Sequence, residues 1–253
     1  MKRFWNAFCM CYSMFTALPC PYRPWDEDAR DMMLVCLPIV GLVIGLLWAA
    51  LGTLGRLVLV PTLCAALVAA LPWLLTGFIH LDGYMDTCDA ILSWRPLEQR
   101  LRILKDVHTG AFAVVGLGLL MMFSYAATVS PVWDDLRPLL FIPVISRCDS
   151  AFCVLALKPI GHSEYAGTEG KRGQRMAVAA MWLIAMAACG IWLGRPVVAL
   201  AVQTLAYTLA MLWGYRTLKG VSGDVAGFAL TISECVALVA LANLRLWFEG
   251  GLA

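Results

Sequence analysis

The sequence predicts an all-α, polytopic membrane protein with about seven transmembrane helices in a single membrane-embedded domain over residues 1–253. Of its 253 residues, 61% are hydrophobic and only 14% are charged, and the mean hydropathy is +0.78. A soluble domain normally carries about 25% charged residues. The apolar residues form long stretches, and a spanning helix needs about 20 of them. The net charge of +2, without one basic patch, argues against a nucleic-acid partner.

The N-terminal stretch is amphipathic and short. A basic pair precedes the apolar segment Phe4–Leu18, which is shorter than a normal span. Pro19 follows where a signal peptide would need a small residue before its cleavage site. We therefore predict an uncleaved interfacial or re-entrant helix, followed by a polar loop over residues 21–31.

Seven apolar stretches follow as predicted spans, separated by polar loops at 80–110, 158–175 and 215–224. Gly41 and Gly45 in the first span favour close helix packing. Pro61 and Pro72 in the second are tolerated where neighbouring groups satisfy the carbonyls that they free. The predicted spans are residues 33–54, 57–79, 111–129, 139–157, 176–193, 197–213 and a seventh that follows the loop at 215–224.

Residues 80–89, with the sequence HLDGYMDTCD, form the most informative stretch. Asp82, Asp86 and Asp89 are spaced i, i+4 and i+7, so a helix places them within about 60° of one face. Such carboxylates repel one another, and oxygen ligands favour a hard cation such as Mg²⁺. A solvated acidic face is the alternative, but ionisable groups beside an apolar span are costly and usually functional. We predict a Mg²⁺ site here, with Gly83 leaving room for the ligand.

Cationic residues extend the predicted site. Arg100 and Arg102 lie on a short basic helix that suits either polyphosphate oxygens or lipid headgroups, and the pattern leaves both open. Arg147 lies within the fourth span, where an arginine is functional by default. Asp149 is only two positions away, so the two side chains do not face each other and each needs another partner. Stabilisation of the bundle through other helices is the alternative for this pair.

A glycine-rich segment leads into the seventh span. Its backbone and the positive end of the following helix suit a phosphate. Asp224, beside Gly223, suits a metal between itself and the phosphate, or an ordinary helix cap. Glu234 lies nearly three turns deeper, where we expect it to support the site.

The basic residues also predict an orientation. With seven spans and the N-terminus inside, fourteen basic residues fall in inside loops and four outside. The three polar loops then face the cytoplasm, which is where a nucleotide substrate is found. Most of the ten cysteines lie within the apolar spans, and we expect them to be reduced and structural.

The same residues carry a family resemblance. The pattern HLDGxxDTxDA over residues 80–90 resembles the signature of cobalamin (5'-phosphate) synthase, also called adenosylcobinamide-GDP ribazoletransferase. Further matches are the FTALP segment from Phe15, the pair Lys105-Asp106 with Gly110, Arg147, and the motif GxxGDxxG from Gly220 with Glu234. The stretch over residues 158–166 departs from the family pattern.

The resemblance implies a phosphoryl transfer. The substrates are adenosylcobinamide-GDP and α-ribazole or its 5'-phosphate, the cofactor is Mg²⁺, and GMP leaves as the nucleotide loop of cobalamin is closed. It implies a multi-pass protein of the cell inner membrane, and leaves a homo-oligomer open. Together with the residue patterns it predicts catalytic roles for His80, Asp82, Lys105, Asp106 and Arg147, substrate binding by Arg100, Arg102, Gly110, Gly223, Asp224 and Glu234, and Mg²⁺ binding by Asp82, Asp86 and Asp89.

Two other functions fit the composition less well. A CDP-alcohol phosphotransferase also uses a membrane-embedded acidic site, but its motif places glycine after the second aspartate and ends in Ala-Arg, which this sequence lacks. A cation transporter would need acids along a pathway. Here the acids cluster at one end, and the mid-membrane charges are the balanced pair Arg147 and Asp149.

Overall fold

The protein is an all-α bundle. Its structure, a computed structural model, describes residues 2–130, 135–160 and 171–249, with the side chains of residues 171, 245 and 249 excepted. Within those ranges it contains helices and no β-strand, which confirms the predicted fold class. The helices are α1 Lys2–Phe15, α2 Glu27–Arg30, α3 Met33–Val58, α4 Pro61–Leu75, α5 Ile79–Leu92, α6 Leu97–Ile103, α7 Ala111–Val129, α8 Ile142–Ala156 after a 3₁₀ turn at Arg137–Leu140, α9 Lys171–Leu193, α10 Pro196–Leu218 and α11 Gly223–Glu249.

Six helices of the described chain are long and apolar enough to cross a membrane, and a bent pair makes a seventh. The six are α3, α7, α8 with its 3₁₀ turn, α9, α10 and α11. The pair is α4 and α5, which meet at 90°. The predicted second span over 57–79 is therefore wrong in its bounds. At 15 residues, α4 is about 22 Å long, shorter than the roughly 30 Å hydrocarbon core.

The break between α4 and α5 is stabilised by its neighbours. Gly77 and Phe78 both have positive φ angles, of 60° and 65°, a conformation that costs free energy in a non-glycine residue. The Ala17 amide donates to the Leu75 carbonyl at the end of α4 (2.9 Å). A Cβ added at Gly77 would lie 3.3 Å from that of Ala17. The segment after α1 thus supports the point where the chain turns.

Pro72 is accommodated as the sequence predicts. Proline has no N–H, so it leaves the carbonyl four residues earlier without its helical partner. That carbonyl belongs to Val68, and it accepts a hydrogen bond from the indole of buried Trp48 on α3 (2.7 Å). The expectation that neighbouring groups satisfy the freed carbonyls is confirmed at this proline.

Helix α3 packs closely against α8. A Cβ at Gly41 would overlap the carbonyl oxygen of Pro143, and one at Gly45 would overlap that of Leu140. The two glycines therefore set a short distance between α3 and the segment made of the 3₁₀ turn and α8, as predicted. Helix α1 lies against α3 with Ala7 and Cys11 fully buried, so it is tucked into the bundle on that face. All ten cysteines are free thiols.

Candidate active site

The site is built where α5 crosses the beginning of α11. A Cβ at Gly83 would lie 2.8 Å from the Cα of Asp224, and one at Gly227 would lie 3.2 Å from the His80 carbonyl oxygen. Thr231 donates to the same carbonyl (3.2 Å). The expectation that Gly83 clears space for a ligand is therefore corrected. It clears space for the backbone of α11, and this contact brings Asp224 to the acidic motif.

Three carboxylates face one another at this crossing. Asp82 is exposed, while Asp86 and Asp224 are half-buried. Asp86 experiences the negative charges of Asp82, Asp224 and Asp89. Within the part of the chain that the structure describes, neither Asp82 nor Asp86 forms an ion pair. We call Asp82, Asp86 and Asp224 the acidic cluster.

Asp89 has a different environment from the other two aspartates of its helix. It is buried, and its carboxylate accepts hydrogen bonds from the amides of Gly110 (2.6 Å) and Ala113 (3.0 Å) at the start of α7. A Cβ at Gly110 would lie 2.6 Å from an Asp89 oxygen, so glycine is required there. Asp89 therefore caps a helix, and its predicted contact with Mg²⁺ stays a prediction. Gly110 takes part in this cap, and its predicted contact with a substrate stays a prediction.

The donor chemistry of the acidic cluster fits a hard cation. Its oxygens are the ligands that Mg²⁺ prefers, and the mutual repulsion of its carboxylates is uncompensated. Among the described residues, however, no three His, Cys, Asp or Glu side chains converge closely enough to hold a metal ion as they stand. The carboxylates lie on two turns of α5 and the first turn of α11, and rotation about their side-chain bonds changes the distances between them.

A cavity of about 280 Å³ lies beside the acidic cluster. Its walls come from α1, α3, α5, α8 and α11, and Asp224 and Gly223 are among the lining residues. His80 also lines it and is 9% exposed. The His80 ring is nearly parallel to that of Phe15, at 11° with centroids 5.8 Å apart. Its Nε2 has no hydrogen-bond partner among the described residues.

The backbone of two polar loops also meets at this cavity. The Val221 amide donates to the Lys158 carbonyl and the Ile160 amide to the Val221 carbonyl, both at 2.9 Å. A Cβ at Gly220 would lie 2.7 Å from the Ile160 nitrogen. Pro159 and Val221 line the cavity. The rest of the divergent stretch, from residue 161, lies outside the described residues.

Arg147 lies in the core and is not among the residues that line the cavity. It is fully buried, and its Nη1 donates to Glu234 on α11 at 2.7 Å and to the Pro143 carbonyl. Ser146 donates to the same Glu234 oxygen at 2.7 Å. Arg147 and Glu234 therefore pair with each other, and the predicted catalytic role of Arg147 and substrate binding by Glu234 stay predictions. Asp149 accepts from Thr204 (3.1 Å), which confirms that it has a separate partner.

The cationic residues after α5 are exposed or half-buried. Arg102 pairs with Glu98 at 2.6 Å on the surface, and Arg100 is half-buried. Lys105 and Asp106 are exposed. The amide and ring of His108 form hydrogen bonds with Asp106, and these lower the pKa of its carboxyl. The structure does not bring Lys105 or Asp106 into the cavity wall.

Comparison with known proteins assigns the chain to a family. The cobalamin-5-phosphate synthase family matches residues 7–242. The chain belongs to the cobalamin-5-phosphate synthase family. An adenosylcobinamide-GDP ribazoletransferase of Clostridium botulinum (strain Alaska E43) is 35% identical over 94% of this chain and 97% of its own length. Proteins of the same name from Clostridium perfringens (strain SM101) and Geotalea daltonii are 36% and 32% identical, over 95% and 88% of this chain and 99% and 91% of their own lengths. No solved structure matches.

In this cobalamin-5-phosphate synthase family member, the matched residues include every predicted site residue and every residue that lines the cavity. Sequence reasoning alone did not find the cavity. The sequence did single out Phe15, because this residue begins a segment that fits the family pattern. It did not single out Ser150 or Val154, because nothing distinguishes them from other residues of an apolar span.

Proposed function

We propose that this chain is an adenosylcobinamide-GDP ribazoletransferase of the inner membrane. The single observation that carries the proposal is family membership over almost the whole chain, with relatives of that name at 35–36% identity. The acidic cluster beside a cavity supports it, because phosphoryl transfer needs charge neutralisation and positioning more than covalent chemistry.

The proposed reaction joins the acceptor to the corrinoid. A ribose hydroxyl oxygen of α-ribazole, or of its 5'-phosphate, attacks the phosphorus next to the cobinamide. A new P–O bond forms, the P–O bond to the GMP moiety breaks, and GMP leaves with the bonding electrons. The hydroxyl proton passes to His80, which lines the cavity and whose buried Nε2 has no hydrogen-bond partner among the described residues.

The acidic cluster would hold Mg²⁺, through Asp82, Asp86 and Asp224. A bound Mg²⁺ supplies neutralisation of the phosphate oxygens. Asp89 keeps the end of α5 fixed against the start of α7, so we propose that it positions the other two aspartates of its helix. Arg147 and Glu234 hold α8 against α11, so we propose that this pair positions the cavity walls that the two helices form.

The exposed cations after α5 would bind the donor. Lys105, with Arg100 and Arg102, lies on the segment that follows the acidic helix, on the side that the basic residues predict to be cytoplasmic. Arginine and lysine suit the oxygens of a pyrophosphate. Asp106 stabilises this loop through His108.

A transfer assay tests the function directly. Purified protein in nanodiscs receives adenosylcobinamide-GDP, α-ribazole or its 5'-phosphate, and Mg²⁺. We expect equal amounts of GMP and the completed cobalamin product, and no product in chelator. If GMP appears without an acceptor, or if no combination of these substrates reacts, the proposal is wrong.

The orientation has its own test. Val60 and Val107 are exposed, at 58% and 91%, on opposite sides of the proposed membrane. In a cysteine-free background, an impermeant thiol reagent outside the cell should label Val60→Cys and miss Val107→Cys. The reverse pattern would place the acidic cluster outside and contradict a reaction with cytoplasmic nucleotides.

A further inference from the structure

We propose that the cavity beside His80 binds the aromatic base of the acceptor nucleoside, and so places the acceptor ribose at the acidic cluster. This inference rests on the proposed function, because it assigns one of the two substrates to a particular part of the site. It concerns the acceptor alone and leaves the donor on the exposed cationic side.

The volume of the cavity limits which chemical groups of the two substrates can fit in it. A volume of about 280 Å³ is at the small end of ligand pockets, which run from about 300 to 1,000 Å³. A corrin macrocycle is far too large for it. A two-ring heterocycle, such as the benzimidazole base of a ribazole, is of the right order.

The chemistry of the cavity walls distinguishes the guanine base of the donor from the benzimidazole base of the acceptor. Most of the lining is apolar, from Phe15, Leu34 and Leu37 on one side and Val154 and Val221 on the other. Guanine carries donors and acceptors around its edge, and burying them without partners costs free energy. A benzimidazole base has few polar groups, so its burial in such a cavity costs little free energy. The cavity therefore favours the acceptor base over the guanine of the donor.

The rings of His80 and Phe15 make one wall of the cavity suitable for an aromatic base. Their nearly parallel rings form one aromatic side of the cavity. His80 is more than nine-tenths buried and lines the cavity, and its Nε2 has no partner among the described residues. A buried polar atom without a partner is unusual in a folded protein. A ribose hydroxyl of the bound acceptor would provide the missing partner.

The cavity lies directly beside the acidic cluster. Gly223 and Asp224 line the cavity, and Asp224 also belongs to the acidic cluster. A nucleoside with its base in the cavity and its sugar towards Asp224 therefore has its hydroxyls between His80 and the carboxylates. This is the place where an attacking hydroxyl is needed.

A cavity-filling substitution tests the assignment. Val154→Phe adds volume to the cavity wall, while Val114→Phe makes the same change on α7 at a site that is 59% exposed. Overpacking costs enough to change binding by about tenfold or more. We expect Val154→Phe to raise the KM for α-ribazole by that factor, to change the KM for adenosylcobinamide-GDP by less than about twofold, and Val114→Phe to change neither.

A second variant guards against misfolding of the first. Phe15→Leu keeps an apolar residue but removes the ring that faces His80. We expect weaker equilibrium binding of α-ribazole, by about three- to tenfold if base–ring stacking contributes as it does elsewhere, and unchanged binding of the donor.

Two other results would contradict the inference, and they can be told apart. A rise in the donor KM alone would assign the cavity to the guanosine. Unchanged constants for both substrates in both cavity variants would mean that neither substrate uses it, for example because a lipid chain fills it. Both results require an active wild-type protein, whereas failure of the proposed function would leave the wild type inactive.

Discussion

Two groups of ionisable residues lie where α11 packs against other helices, the acidic cluster against α5 and the pair Arg147 and Glu234 against α8, and they differ in how their charges are balanced. The acidic cluster, where α5 crosses the first turn of α11, has three carboxylates, and neither Asp82 nor Asp86 forms an ion pair within the described chain. Deeper in the bundle, Arg147 and Glu234 neutralise each other at 2.7 Å. An uncompensated charge needs a ligand, whereas a compensated one maintains the fold. The comparison predicts that substitutions in the first group affect turnover and those in the second affect stability.

The largest expected effect comes from breaking the buried pair. Arg147→Met leaves the Glu234 carboxylate buried without its cation, which costs about 3–5 kcal/mol. We expect little folded protein in the membrane and a lower melting temperature in detergent. Arg147→Met combined with Glu234→Gln should recover part of the loss, because no buried charge is left unpaired. A well-folded single variant that has only lost activity would return Arg147 to direct substrate contact.

Removing one carboxylate of the acidic cluster should have the next largest effect, on activity alone. Asp82→Asn and Asp86→Asn are nearly isosteric, so both variants should fold. Loss of a ligand to a catalytic cation should lower the transfer rate by about a hundredfold or more. The melting temperature should stay the same or rise, because repulsion between the carboxylates is relieved. Variants that turn over normally in chelator would show that the cluster is only a solvated helix surface.

Asp89→Asn is the matched control on the same helix. It removes the charge that caps the start of α7 and weakens the hydrogen bonds to Gly110 and Ala113. Loss of a cap typically costs about 1 kcal/mol. We expect a lower melting temperature and a smaller loss of turnover than for Asp82→Asn. A hundredfold loss of activity with unchanged stability would make Asp89 a metal ligand after all.

The contrast between these aspartates shows what the sequence could and could not predict. Helical periodicity placed Asp82, Asp86 and Asp89 on one face, because that depends only on neighbours in the chain. The partner of Asp89 was not predictable, since Gly110 is 21 residues away and no local pattern links them. The separate partners of Arg147 and Asp149 followed from helix geometry, but the choice of Glu234 did not.

The same distinction applies to the fold. The long spans and the close packing of α3 were predicted from hydropathy and from Gly41 and Gly45. The 90° break after Leu75 was not, because the residues from 57 to 79 are almost uniformly apolar and the break depends on contacts with Ala17. The cavity also lay beyond sequence reasoning, because five separate helices form it.

Asp106 should show the smallest effect. Its carboxyl is exposed, and hydrogen bonds from His108 lower its pKa in the folded protein. A lowered pKa means that this contact is present above the ordinary pKa of an aspartate and is lost as the pH falls through the lowered value. Asp106→Asn should therefore lower transfer by at most about tenfold at neutral pH, the low end of the range for outer-shell groups, and its activity relative to wild type should approach one only at a pH below the ordinary pKa of an aspartate. A larger loss that persists at low pH would place Asp106 in direct contact with the reacting groups, and would extend the acidic cluster to the loop after α6.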